Sequence, residues 1–304
     1  MLDYDIVIIG GGPAGISAGI YAARSGLKSV LLEKMFIGGQ AINSQMLENY
    51  PGFENGISGT QFAQTIEKQA KNLGLEIVKR AVKEVNLSES GSQISTAKDT
   101  YNAKAVIIAA GANPRKLNMP LEQELTGRGI SYCATCDGMF FKDKAVAVIG
   151  GGETAINDAI YLSKLAAKVY IVHRRDEFRA SKASVDKLKS LQNVEFVFDS
   201  VLTKLNGDTS LTSIDIENVK TMQSRNIQLD GIFVAVGSVP QTELFKGQLH
   251  MINDHIVTQK GGLTNVKGVY AAGDITYMSQ RQVVIAAGEG AEAAMNAIEY
   301  VNSK

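Results

Sequence analysis

A strand that runs into a glycine-rich turn and then a helix occurs twice in this chain, 140 residues apart, and that repetition limits the fold more than any other feature. The first copy is Tyr4-Asp5-Ile6-Val7-Ile8-Ile9 followed by Gly10-Gly11-Gly12-Pro13-Ala14-Gly15, with a helix predicted to about Arg24. The second is Lys144-Ala145-Val146-Ala147-Val148-Ile149 followed by Gly150-Gly151-Gly152-Glu153-Thr154-Ala155, with a helix predicted to about Leu165. A short, continuous run of β-branched and aliphatic residues predicts a strand buried on both faces, as in parallel sheets. A second echo accompanies the first: Val106-Ile107-Ile108-Ala109-Ala110-Gly111-Ala112-Asn113-Pro114 resembles Ile232-Phe233-Val234-Ala235-Val236-Gly237-Ser238-Val239-Pro240. So long a period denotes a repeated domain, not a solenoid.

Between these landmarks, Phe62, Ile66, Ala70 and Leu73 recur at helical spacing and stop at Gly74, while 75–78, 82–87 and 93–96 predict short strands. The residues after Pro240 are too few for a third domain of ordinary size and are expected to return to the first. The expected class is therefore α/β: two Rossmann-like three-layer nucleotide-binding domains, with the second (114–240) inserted into the first (1–113 and 241–304). Hinges are expected near Asn113-Pro114-Arg115 and Ser238-Val239-Pro240. Positive and negative side chains balance at 31 each, without blocks of like charge, so nothing points to nucleic acid or an anionic membrane as a partner. The apolar runs are too short to span a bilayer.

Gly10, Gly12 and Gly15 form G-x-G-x-x-G, in which the first glycine makes the turn, the second admits a pyrophosphate, and the third lets helix meet strand. Pro13 and Ala14 open the helix, whose free N–H groups favour phosphate. Glu33 follows the strand Ser29-Val30-Leu31-Leu32 at the distance expected of a ribose-binding carboxylate. In the second copy Gly150, Gly152 and Ala155 take the same places. Its next strand, however, ends in His173-Arg174-Arg175 with Arg179 beyond. Guanidinium groups there match a 2′-phosphate, which predicts NADPH. Two nucleotide sites of different chemistry are explained most simply by one FAD held permanently and one NADPH that visits, because a hydride donor and a disulfide need a two-electron mediator.

The disulfide is expected at Cys133-Ala134-Thr135-Cys136, a C-x-x-C that uses the only two cysteines in the chain. Zinc would need more ligands than the neighbourhood offers, since His173, His250 and His255 all lie far away in sequence, and no metal is expected. This cysteine usage suits a reducing, cytoplasmic setting. Asp137 is the adjacent group that could protonate a leaving sulfur if burial raised its pKa. Asp137-Gly138 is equally an ordinary turn signal.

Over essentially its whole length the chain resembles the bacterial low-molecular-weight thioredoxin reductases. The resemblance rests on the two glycine loops, Gly38-Gly39-Gln40, Glu48-Asn49-Tyr50-Pro51-Gly52, Cys133-Ala134-Thr135-Cys136-Asp137-Gly138, His173-Arg174-Arg175 through Arg179, Ala271-Ala272-Gly273-Asp274, and Arg281-Gln282-Val283. It implies FAD contacts at Lys34, Gly38, Gly39, Gln40, Asn49, Gly273, Asp274, Arg281, Gln282 and Val283, and NADPH contacts that include Glu153 and Thr154. It further implies that Cys136 faces the flavin and Cys133 attacks thioredoxin, that the enzyme is a homodimer, and that the NADPH domain rotates. Two departures are Ala109-Ala110-Gly111 and the segment Tyr277-Met278-Ser279-Gln280. Competing readings are a reductase of another specialised redoxin and a flavin-bound redox sensor that does not turn over.

Overall fold

The computed structural model describes residues 1–44, 46–277 and 280–304. Met278 and Ser279, in the departing segment before Arg281, lie outside the described residues. The chain divides into two compact units, residues 1–113 with 239–304 and residues 114–238. The return to the first unit thus falls two residues earlier than the boundary expected at 240/241.

The first unit opens with β1 (Leu2–Ile9), α1 (Pro13–Arg24) and β2 (Ser29–Glu33), then α2 (Gly59–Asn72) and β3 (Glu76–Lys79), all built as strand, turn and crossover helix. The antiparallel pair β4 (Val82–Asn86) and β5 (Ser92–Thr96) leads into β6 (Thr100–Ile108). β1 runs parallel to both β2 and β6, with Ile6, Val7, Ile8 and Ile9 opposite Ala105, Val106, Ile107 and Ile108. Ile6, Val7 and Ile8 are completely buried, as a strand covered on both faces requires.

β7 (Ala112–Pro114) carries the chain out of this unit. The inserted unit contains α3 (Glu122–Leu125), β8 (Ile130–Ser131), α4 (Ala134–Asp137), β9 (Ala145–Ile149), α5 (Glu153–Leu162), β10 (Lys168–Val172), α6 (Lys182–Lys189) and β11 (Val194–Val197). An antiparallel sheet of β12 (Ser200–Gly207), β13 (Leu211–Asn218) and β14 (Ser224–Gln228) follows, then β15 (Gly231–Val234). The parallel sheet has the order β11-β10-β9-β15-β8. One face packs the core of α5 around Ile156 and Ala159, and the other packs against the antiparallel sheet through Ile214 and Ile216. That is a three-layer arrangement.

β16 (Ser238–Pro240) pairs with β7, so the outgoing and returning strands form a two-stranded ribbon. β17 (Met251–Ile252) and β18 (His255–Ile256) make a small hairpin, and β19 (Val269–Ala271) adds to the first sheet. β6 shares one edge between two partners: its first half pairs antiparallel with β5 and its second half parallel with β19. α7 (Val283–Asn302) closes the chain against α1. Their contact is built from small residues, Ala14, Ala18 and Ala22 on α1 with Ala286, Ala293, Ala294 and Ala297 on α7, all buried. A Cβ on Gly290 would lie 2.0 Å from the Ala14 carbonyl oxygen, so glycine is what lets the two backbones meet.

Candidate active site

In the first unit, three glycine-bearing segments converge on the first turn of α1. Gly10 has φ +108°, and a Cβ there would meet the Ala109 carbonyl oxygen at 2.4 Å. Gly38 donates its N–H to Gly11 O at 2.8 Å, and the missing Cβ of Gly39 lies 3.0 Å from Gly12 Cα. Gly273 abuts Ala14. Gly12 itself has an open side, with nothing nearer than 3.9 Å to a Cβ placed there, and the first turn of α1 carries no acidic residue. This cradle fits a pyrophosphate, since N–H groups, positive dipole and space coincide.

The Glu33 carboxylate accepts from Gly11 N–H at 2.6 Å and from Met35 N–H at 2.8 Å, so it also holds the glycine loop in place. Lys34 donates to Gln241 (3.4 Å), Gln40 to Asn113 (2.7 Å) and Asn49 to Gln282 (3.1 Å). Val283 packs on the cluster of Ala41, Leu47 and Phe62. Burial raises the Asp274 carboxyl to about 6, with Arg281 opposing and Glu289 adding to the shift. Two residues in this region escaped the sequence reading. Glu289 accepts from Gly273 N–H at 2.7 Å, and His255 Nε2 stands 3.2 Å from the Arg281 guanidinium. The first acid of α7, set between Gly288 and Gly290, was the available signal for Glu289; nothing in sequence marked His255.

In the second unit the glycine loop precedes α5. Gly150 has φ +151°, with the Ala235 carbonyl oxygen 2.3 Å from a Cβ built there, and Ala155 is fully buried beneath the loop. Gly152 has nothing within 4 Å of that position. Gly151 lies against the His173 ring, which is buried, stacks on Phe178 and bonds Glu177 O through Nε2 at 3.1 Å. His173 thus supports the loop from beneath, and burial holds its pKa below the ordinary histidine range. Arg179 donates its N–H to Gly151 O at 2.7 Å, while Glu153 accepts from Ser181 N–H (2.7 Å) and Ser184 Oγ (2.6 Å). Thr154, next along α5, is exposed. The arginine segment is therefore fastened to the glycine loop. Arg174, Arg175 and Arg179 are exposed, and among the described residues none forms an ion pair. Three uncommitted cations beside an open glycine cradle fit a phosphorylated ribose.

The same unit joins Cys133 to Cys136 in a disulfide with Cα atoms 5.3 Å apart. Cys133 caps α4, and the Asp137 N–H returns to Cys133 O at 3.1 Å. Asp137 Oδ2 accepts from the Ser131 hydroxyl at 2.6 Å, while Oδ1 is buried without a partner. Burial raises this carboxyl and the Ser131 bond opposes the rise. Glu122, only 4% exposed, accepts from Leu117 N–H (2.7 Å), Asn118 N–H (2.8 Å) and the Tyr132 hydroxyl (2.5 Å). Burial alone would raise Glu122; these donors hold it below the usual carboxylate range. It anchors the residue that precedes Cys133. Among the described residues no cluster of His, Cys, Asp or Glu could hold a metal ion, and no helix is long and apolar enough to cross a membrane.

A cradle of this kind in each unit and a C-x-x-C disulfide define a class, and comparison with known proteins gives it a name. Residues 4–291 match the family model of the pyridine nucleotide-disulphide oxidoreductases, and the chain belongs to that family. Within it the similarity is to thioredoxin reductases. That of Streptomyces coelicolor is 43% identical over 301 residues, covering 98% of this chain and 94% of the relative. That of Peptoclostridium acidaminophilum is 41% identical over 99% of this chain and 98% of the relative. The crystal structure of thioredoxin reductase from Streptococcus pyogenes superposes with a TM-score of 0.93 at 38% identity, covering 99% of each chain.

Proposed function

We propose that this chain is an NADPH-dependent thioredoxin-disulfide reductase, with FAD in the first unit and NADPH and the redox-active pair in the second. One observation carries this reading: the unit whose glycine loop is flanked by unpaired arginines also holds a C-x-x-C disulfide beside a buried carboxyl. FAD, when bound, supplies the two-electron relay between hydride donor and disulfide. The cradle of Gly10, Gly12 and Gly39 receives its pyrophosphate, and Arg174, Arg175 and Arg179 receive the 2′-phosphate of NADPH. In the reduced dithiol, the Cys133 thiolate attacks one sulfur of the partner's disulfide, that S–S bond breaks, and a mixed disulfide forms. Asp137 gives its proton to the departing thiolate. Cys136 then displaces the partner from Cys133 and restores the 133–136 disulfide. Two electrons and two protons leave the dithiol in all, one proton by way of Asp137.

The family supports a homodimer, and the use of cysteine only in the redox pair supports a reducing, cytoplasmic setting. Anaerobic titration with NADPH and, separately, NADH tests the reading, following flavin bleaching and then thiol release from added thioredoxin. NADPH is expected to bleach the flavin and reduce thioredoxin, and Cys136→Ser to abolish the second event. Bleaching without reduction of any redoxin would leave a flavoprotein that is not a redoxin reductase.

A further inference from the structure

We propose that Ser131 is a positioning residue for the acid: its hydroxyl fixes the Asp137 carboxyl to the backbone of Cys133 and selects the oxygen that carries the transferable proton. The proposal rests on Asp137 acting as the acid of the reaction above.

One oxygen atom makes the link. Ser131 Oγ accepts the Cys133 N–H at 3.1 Å and donates to Asp137 Oδ2 at 2.6 Å. The alternative acceptor, Cys133 O, is 3.3 Å away, so the single hydroxyl proton belongs on the carboxyl. Oδ2 is thereby committed as an acceptor. The acid proton is carried on Oδ1, which is buried and has no partner.

The surrounding fold explains why such a short strand exists. β8 has two residues at the edge of the sheet, and Ser131 pairs in register with Phe233 of β15, which lies between β8 and the central strand β9. Phe141, at the far end of the same segment, meets the Phe233 ring edge-on at 5.2 Å. Both ends of the 131–141 segment are thus fastened to one residue of the core, and Ser131 is only 5% exposed. A hydroxyl held this rigidly positions the carboxyl at little entropic cost.

The titratable groups near Asp137 are few. Its own segment brings Tyr132, whose hydroxyl donates to Glu122, together with Cys133 and Cys136, and the turn Gly138–Phe141 brings none. Helix α5, packed against α4, brings Tyr161, whose ring abuts Gly138, and Asp158 one turn earlier, which burial raises to about 6. No charged side chain contributes to the rise of Asp137; burial is the cause and Ser131 the sole counterweight.

The test uses the full FAD-loaded chain as Ser131→Ala, Ser131→Thr, Asp137→Asn and the Ala/Asn double variant. Turnover with NADPH and thioredoxin is measured across pH, together with iodoacetamide alkylation of Cys133 in dithiothreitol-reduced protein. A general acid works while protonated, so kcat falls as pH rises through its pKa. Ser131→Ala is expected to move that alkaline limb upward by about one pH unit, the effect of losing one hydrogen bond to a charged group. Ser131→Thr should restore it. Asp137→Asn should lower kcat by about 10²- to 10⁴-fold and abolish the limb. The proposal is overturned if Ser131→Ala lowers kcat equally at every pH with the limb unmoved, or if the double variant still shows a displaced limb, which would assign it to another group such as Asp158. If the wild type reduces no thioredoxin, the functional reading fails separately, and alkylation still decides about Ser131. An Asp137-dependent inflection that moves upward in Ser131→Ala supports the link, and one that stays in place overturns it.

Discussion

Arg174, Arg175 and Arg179 illustrate how much a single side-chain type can say. Each is exposed, and the segment that carries them is pinned to Gly151 and Glu153 by backbone and serine hydrogen bonds. Replacing Arg175 and Arg179 together with Ala should lower kcat/KM for NADPH by roughly 10²- to 10⁴-fold and leave NADH nearly unaffected, since each charge-assisted bond contributes about 1.5–3 kcal/mol. Equal losses with both cofactors would place the arginines elsewhere in the reaction. These residues were legible in the sequence because their spacing from the glycine loop is set by the length of one helix and one strand. Ser131, Glu289 and His255 were not legible. Ser131 is an ordinary residue type whose partner becomes visible only once α4 turns Asp137 back toward it, and Glu289 and His255 meet Gly273 and Arg281 only through tertiary packing.

At the scale of elements, α1 and α7 depend on the absence of side chains where they cross. Gly290→Ala would drive a methyl group into the Ala14 carbonyl, which neither helix can relieve alone. It is expected to destabilise the first unit by about 1–3 kcal/mol, as overpacking does, and to weaken FAD retention because Ala14 lies in the first turn beneath the pyrophosphate cradle. Thermal denaturation and flavin release on dilution check both effects; unchanged flavin affinity would separate the helix contact from the cradle. The paired strand–turn–helix elements followed from periodicity, because buried parallel strands read as unbroken apolar runs. The antiparallel sheet β12–β14 did not: in β13 Ile214 and Ile216 face inward across a polar stretch, but Ser213 is buried beside them and breaks the alternation, so the Asn206-Gly207 turn between β12 and β13 stood without a clear period on its far side. The two-residue β8 is likewise too short to carry a period.

For the whole molecule, the insertion has a consequence for folding. Residues 114–238 form a continuous segment with its own cores, and its ends are held together by Arg115 N–H donating to Gly237 O at 2.9 Å. Expressed alone, this segment should unfold in one cooperative transition and retain the 133–136 disulfide; a broad, non-cooperative melt would show that it needs the first unit. Stability should also depend on pH through Asp158. Its folded pKa of about 6 lies above the ordinary aspartate value of 3.8, so the folded state binds the proton more tightly, and stability from this group is lost as pH rises from about 4 to 6. Asp158→Asn should therefore flatten that decline and stabilise the protein at neutral pH by roughly 1–3 kcal/mol, read by denaturant unfolding at several pH values. No gain at neutral pH would mean that the carboxylate has a partner when ionised.

The central claim is that electrons from NADPH arrive on Cys133 and Cys136 by way of a bound flavin. The most direct measurement adds NADPH anaerobically to the FAD-loaded chain, quenches with iodoacetamide, and weighs the peptide that contains both cysteines. Two labels, appearing only when flavin and NADPH are both present, are the result expected. A flavin that bleaches while the peptide stays unlabelled would contradict the account.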